Sequence, residues 1–237
     1  MRLYALLVVS LLIVGILAIV VGSGDLADPE LRDTFLKLRG FRLAAAFLAG
    51  AALAVGGVVV QGLFRNPLAS PSVLGTTAGA SFGGQVALLL SGVAGLGGGF
   101  VVPEMVVPVG CFLGALGALA VLLVFLRVTQ DLLALLLTGF VLSALFLSMS
   151  AFVTSVAQET WELGRAVVSF SLGSVSGTGP RQLAFALPLI LTALLACWLW
   201  GRSLDLLLSS EEEAQAMGAN VTTVRWWSAI WVSVLVA

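Results

Sequence analysis

No histidine occurs among the 237 residues. Histidine is the usual general base, proton shuttle and metal ligand near neutral pH, so its absence argues against proton-coupled pumping and against hydrolysis by a histidine-activated nucleophile. Charge is also scarce: 10% of the residues are Asp, Glu, Lys or Arg, where a soluble domain carries roughly a quarter. So few charges do not cover a water-facing exterior. The 11 basic and 12 acidic residues leave a net charge of -1 and are scattered, which removes the basic footprint expected of a nucleic-acid partner. Cys111 and Cys197 are the two cysteines. Both sit inside apolar runs and read as small hydrophobes rather than as a disulfide framework or a metal pair. No catalytic residue, metal site or cofactor is expected.

What is abundant is apolar sequence, 60% of the chain, in blocks about the length that crosses a hydrocarbon core, roughly 20 helical residues. The expectation is an all-α, polytopic transmembrane bundle. The first block, 4–21, follows Arg2 but is longer than the roughly 7–15 apolar residues of a signal peptide, so it is read as a span. Residues 22–42 hold Asp25, Asp28, Glu30, Arg32, Asp33, Lys37, Arg39 and Arg42 and are expected as an exposed connection with at most one short amphipathic helix. The second block, 43–60, repeats Gly50, Ala54 and Gly57, a spacing that lets helix backbones approach closely in a bilayer. A turn is expected over 61–72, where Pro67 and Pro71 bias their predecessors away from helix. The third block, 73–90, is rich in Gly, Ser and Thr and includes Gln85. A helix so polar should avoid lipid, either by close packing or by lining a pathway. Glycine-rich 92–103 reads as a loop.

Blocks 106–126, 132–153 and 183–200 are clear spans, the last carrying Pro188, which a membrane helix can absorb as a kink. Between the latter two, 154–181 reads as an interfacial segment with a short helix at the membrane surface. After Trp200 the chain turns polar, and the serines at 209 and 210 with glutamates three residues on suggest a capping box. Gly218 suits the left-handed residue that ends such a helix, so a short exposed helix is expected over 211–217. The stretch 226–237 is half a crossing, which predicts that the native polypeptide continues. Six full spans and the start of a seventh result. Counting Lys and Arg near helix ends puts five on the side of the N-terminus and six on the other, which leaves orientation open.

Within the six blocks no charged residue occurs; Glu104 and Asp131 lie at block ends. Intramembrane charges normally mark ion paths, so a transporter of this kind takes its energy from elsewhere or is a passive pore. A membrane-embedded enzyme, a secondary transporter with inverted repeats and a short assembly or regulatory product are the competing classes.

The run GAALAVGGVVVQ over 50–61, then LFRNPLASP over 63–71, then Leu74-Gly75 and Gly79-Ala80 closely resemble the FecCD family of permease subunits of ABC importers for iron-siderophore complexes, haem and cobalamin. Gln61, Asn66, Pro67, Pro71, Gly75 and Gly79 carry this permease motif. Residues 211–218, EEEAQAMG, resemble the family's cytoplasmic coupling region, which implies an ATPase-contacting role for Glu211, Glu212, Ala214, Met217 and Gly218 within a coupling segment 202–225. Arg39 and Arg42 match a periplasmic arginine pair that meets acidic residues of a substrate-binding protein, and Arg offers a planar fork suited to a carboxylate. The resemblance implies a single permease domain over 1–237, the first part of a subunit of about ten spans. It would sit in the bacterial inner membrane as a homodimer or as a heterodimer with a related permease. Its partners would be an ABC ATPase, a periplasmic binding protein and lipid.

Overall fold

The computed structural model describes residues 2–21, 29–94, 105–128, 131–175, 177–209 and 211–237. Among the described residues it is built from α1 (Arg2–Val20), α2 (Pro29–Phe64), a 3-10 turn (Pro71–Leu74), α3 (Thr76–Ala94), α4 (Val106–Val128), α5 (Leu132–Ala157), α6 (Trp161–Leu172), α7 (Pro180–Ser209), α8 (Glu211–Ala216) and α9 (Val221–Val236). The expected helical bundle is present. Five helices, α1, α2, α4, α5 and α7, are long and apolar enough to cross a membrane, and α9 is a shorter apolar helix. The polar third block, α3, is not among the five.

Three boundaries differ from the expectation. The charged stretch up to Arg42 is not a separate connection from residue 29 onward: α2 is one helix of 36 residues, about 54 Å long, well beyond the roughly 30 Å hydrocarbon core. Its first turns extend the second span. At the other end of the chain, α7 runs through Arg202 and Asp205 to Ser209, because Leu204 and Leu207 keep a buried face on it. It also continues through Pro188, where Thr192 Oγ1 donates to the Pro188 carbonyl at 2.8 Å. The expected glycine-rich loop begins later than 92, since α3 extends to Ala94; residues 95–104, Glu104 included, lie outside the described residues.

The short helix expected between the fifth and sixth blocks is α6, and it runs along α3. A Cβ at Gly92 would overlap Leu163, and one at Gly84 would lie 2.5 Å from Phe170 Cζ and 2.6 Å from Cys111 Sγ. Gln85 Nε2 donates to Ser171 Oγ at 2.8 Å. Start and end of α6 therefore lie against positions seven residues apart on α3, a descent of about 10 Å.

Two packing groups make up the bundle. In the first, α3 crosses α4 glycine on glycine. A Cβ at Gly79 would stand 2.7 Å from the Gly114 carbonyl oxygen, and one at Gly110 would stand 2.7 Å from that of Gly83. Cβ atoms at Gly83 and Gly114 would overlap the opposite backbone outright. The small face of α3 thus serves close packing. On its next face α3 meets α5 in parallel, with Gly75 against Leu142 and Phe82 against Phe146, ring centroids 5.7 Å apart. Four polar side chains on α5 satisfy themselves, Thr138, Ser143, Ser148 and Thr154 each donating to the carbonyl four residues earlier, which suits a helix without water.

The second group is α2, α7 and α9. Val59, Val60 and Leu63 of α2 share a core with Ala193, Cys197 and Leu204 of α7 and with Ala229, Val232 and Leu235 of α9, and Leu119, Leu122 and Leu126 of α4 join the two groups. Peripheral to both, α1 has no buried residue and packs mainly along α2. The large apolar side chains it exposes, such as Leu7, Leu12 and Ile16, are the surface that lipid would solvate.

Candidate functional site

The turn between α2 and α3 is built by the motif residues one after another. The Gln61 carbonyl accepts from Asn66 N at 3.1 Å, and Arg65 takes a positive φ of 47°, which reverses the chain. Asn66 then fixes the next turn: its Oδ1 accepts from Leu68 N at 2.9 Å and its carbonyl accepts from Ala69 N at 3.0 Å, an Asx turn of the kind Asn favours. Pro71 opens the 3-10 turn, and its ring lies 3.5 Å from where a Gly56 Cβ would be. Gly75 closes the turn in the left-handed region at φ 79°, ψ -11°. That conformation costs other L-residues about 1–2 kcal/mol, and a Cβ there would also lie 3.0 Å from the Gly139 carbonyl oxygen. Gly79 makes the crossing with α4. Asn66, Pro71, Gly75 and Gly79 thus each have a structural task in placing α3.

Gln61, Arg65, Asn66 and Pro67 also face Leu204, Asp205 and Leu208 of α7 across a groove of about 700 Å³. The motif and the start of the coupling segment, more than a hundred positions apart in sequence, stand at the same end of the bundle.

At that end α7 gives way to α8. Ala214 is fully buried in the core, whereas Glu212, Glu213 and Met217 are exposed. Residue 210 and the side chains of Ser209 and Glu211 lie outside the described residues, and with them the expected capping box. The end of the helix is as expected: Gly218 takes φ 86°, Gly218 N donates to the Gln215 carbonyl and Ala219 N to the Ala214 carbonyl, each at 2.9 Å. This pair of bonds is the Schellman closure. Asn220 then caps α9, its Oδ1 accepting from Thr223 N at 3.0 Å. A short acidic helix is therefore held between two rigid helices by a buried alanine and by caps on its far side.

Sequence reasoning missed what ties α9 to its neighbours. Arg127, at the end of α4, lies over the Trp226 ring at 5.2 Å, within cation–π range. Trp227 stacks on Trp231 and meets Trp200 at a tilt, each at a centroid distance of 6.0 Å, and Arg225 beside them is buried. The Arg225-Trp226-Trp227 run, basic then aromatic at a span's start, was the available signal.

Arg39 and Arg42 lie far from this end: 24 residues of helix and turn separate Arg42 from Asn66, about 36 Å at helical rise. They belong to the N-terminal part of α2 beside the end of α1. Arg39 is only 7% exposed, and Arg42 is half-buried. Among the described residues no group of three or more Cys, Asp or Glu is placed to hold a metal ion.

The architecture is similar to a structure described as an inward-facing conformation of a metal-chelate type ABC transporter, with a TM-score of 0.80, 28% identity, and coverage of 97% of this chain and 71% of that one. Among curated proteins, the chain is 34% identical over 172 residues to the Fe(3+) dicitrate transport system permease protein FecD of Escherichia coli, covering 73% of this chain and 50% of the relative. It is 32% identical over 171 residues to the molybdate import system permease protein MolB of Haemophilus influenzae, covering 72% and 48%. To the hemin transport system permease protein HmuU of Yersinia pestis it is 31% identical, covering 70% and 48%. The chain thus spans about half the length of the curated relatives it matches. With a match to the FecCD transport family over residues 3–237, the chain belongs to that family and is a multi-pass protein of the inner membrane.

Proposed function

We propose that this chain is the membrane-spanning part of an ATP-driven importer, one permease domain whose segment 202–225 receives force from a separate ATPase subunit. The observation that carries the reading is α8: an acidic helix on which Glu212 and Glu213 are exposed while Ala214 sits in the core shared by α2, α7 and α9. A push on Glu211, Glu212 and Met217 would therefore move spans rather than a loop. The Schellman closure at Gly218 and the Asn220 cap keep that lever short, and the Arg127–Trp226 contact carries its motion to α4. Rigid helices so linked suit the two-state rearrangements by which alternating access works. The polypeptide itself performs no chemistry in this reading, and two copies, or this chain and a related permease, enclose the path.

Cargo is delivered by a binding protein at the outer end, where Arg42 and the projecting turns of α2 provide basic and polar contacts. The cargo class is an iron-siderophore complex, haem or a cobalamin-type compound. Relatives named for molybdate, ferric dicitrate and hemin share about a third of the aligned residues, so discrimination among cargoes rests on residues outside that common set and on the binding protein.

Mass spectrometry of what co-purifies with the tagged native gene product in mild detergent tests the reading. An ATPase subunit and a binding protein in the complex are expected. A folded product recovered with neither would contradict it and favour a self-sufficient transporter or pore.

A further inference from the structure

The C-terminal carbonyls of a helix have no partner within the helix, and beside hydrocarbon each bare one costs several kcal/mol. At the end of α1, Val21 N serves the Leu17 carbonyl at 2.7 Å. The last two of α1 are served from another helix: Arg39 Nη1 donates to the Ile19 carbonyl at 2.6 Å and to the Val20 carbonyl at 3.0 Å. Arg39 is buried and lies ten residues inside α2, so the first turns of α2 rise past the end of α1 and the guanidinium reaches sideways onto it. A cation here also meets the negative end of the helix dipole. Elsewhere α1 buries no residue.

We propose that Arg39 is a positioning residue that anchors α1 to α2 by capping it. Arg39 then holds the first span in place through its two bonds to the end of α1. This goes beyond the importer reading and stands whether or not the chain docks a binding protein.

The test needs no partner. In a Cys111→Ser, Cys197→Ala background, spin labels at Val20→Cys on α1 and Leu199→Cys on α7 report their separation by pulsed EPR in nanodiscs. One narrow distance is expected for the parent, and Arg39→Met should raise the detached, broad population roughly tenfold, the scale of a lost partly buried cap charge. Arg39→Lys, which keeps a donor and the charge, should restore most of the narrow peak, and Arg42→Met should leave it unchanged. An unmoved narrow peak in Arg39→Met overturns the proposal. Should Arg39→Met fail to fold, maleimide labelling of Val20→Cys in native membranes, compared across Arg39→Lys and Arg39→Gln, reads the same anchor: a graded rise supports it and equal labelling overturns it. Adding the binding protein separates the two ideas. Lost docking in Arg39→Met with α1 unmoved overturns the cap and restores Arg39 to the docking face. Docking indifferent to both arginines, with α1 displaced, keeps the cap and removes the docking face.

Discussion

The first span and the pair α3–α4 are held in place by opposite means. Between α3 and α4 four glycines put backbone on backbone, with no room for a methyl group at Gly79, Gly83, Gly110 or Gly114. Along α1 no residue is buried, and one arginine from α2 grips its end. Lipid tails are as apolar as leucine, so helices in a bilayer associate through close van der Waals contact or through polar bonds rather than by hydrophobic exclusion. The molecule uses one means for the wedge that packs α3 and the other for the helix at its rim. The wedge should therefore be rigid and intolerant of substitution, and the rim adjustable.

Substitution along α4 and its neighbours can break that contrast. Gly114→Val is expected to have the largest effect, forcing the α3–α4 crossing open at a cost of about 3 kcal/mol, the upper end of the usual overpacking range, read as a sharply lowered unfolding midpoint in detergent or as loss of folded protein. Gly75→Ala should cost less, about 1–2 kcal/mol for the left-handed backbone plus a modest shift of α5, since the new Cβ meets Leu142 and the Gly139 carbonyl at 3.0–3.1 Å. Gln85→Leu removes the bond to Ser171 and should lower stability by about 1 kcal/mol, chiefly by loosening α6, which raised hydrogen exchange in 161–172 would report. Smallest is Gly117→Ala, three residues from Gly114 on a part of α4 where nothing lies within 4 Å of a new Cβ. It should be neutral or stabilising by up to about 1 kcal/mol. If Gly117→Ala and Gly114→Val lower the midpoint equally, the backbone crossing is not what holds α3 and α4 together.

Much of this architecture was legible from hydropathy and length, because a membrane span must be long and apolar whatever it packs against. The end of α8 and the start of α9 were legible too, since Gly218 and Asn220 act through their own backbone and side chain. What the chain hid were continuities and depths. Arg32, Lys37 and Arg39 look alike in a loop and in a helix that projects from the membrane, so the true start of α2 did not show. Arg202 and Asp205 lower the hydropathy of α7 without breaking it, because Leu204 and Leu207 still bury. A 12-residue helix such as α6 has the same pattern at a surface or along another helix, and only the Gln85–Ser171 and Gly92–Leu163 contacts place it. The motif from Gln61 to Gly79 announced the family, yet its physical task, turning the chain and seating α3, depends on partners in α4, α5 and α7.

The central claim is that α8 passes force from an ATPase into the spans, and cargo-stimulated ATP hydrolysis by the reconstituted full-length complex tests it most directly. Glu211→Lys with Glu212→Lys should abolish the stimulation while leaving insertion and the unfolding midpoint unchanged, because Glu212 is exposed and substitutions at the first turn of a short surface helix contribute little to folding. Stimulation equal to that of the parent would contradict the account and remove α8 from the path of energy into the membrane.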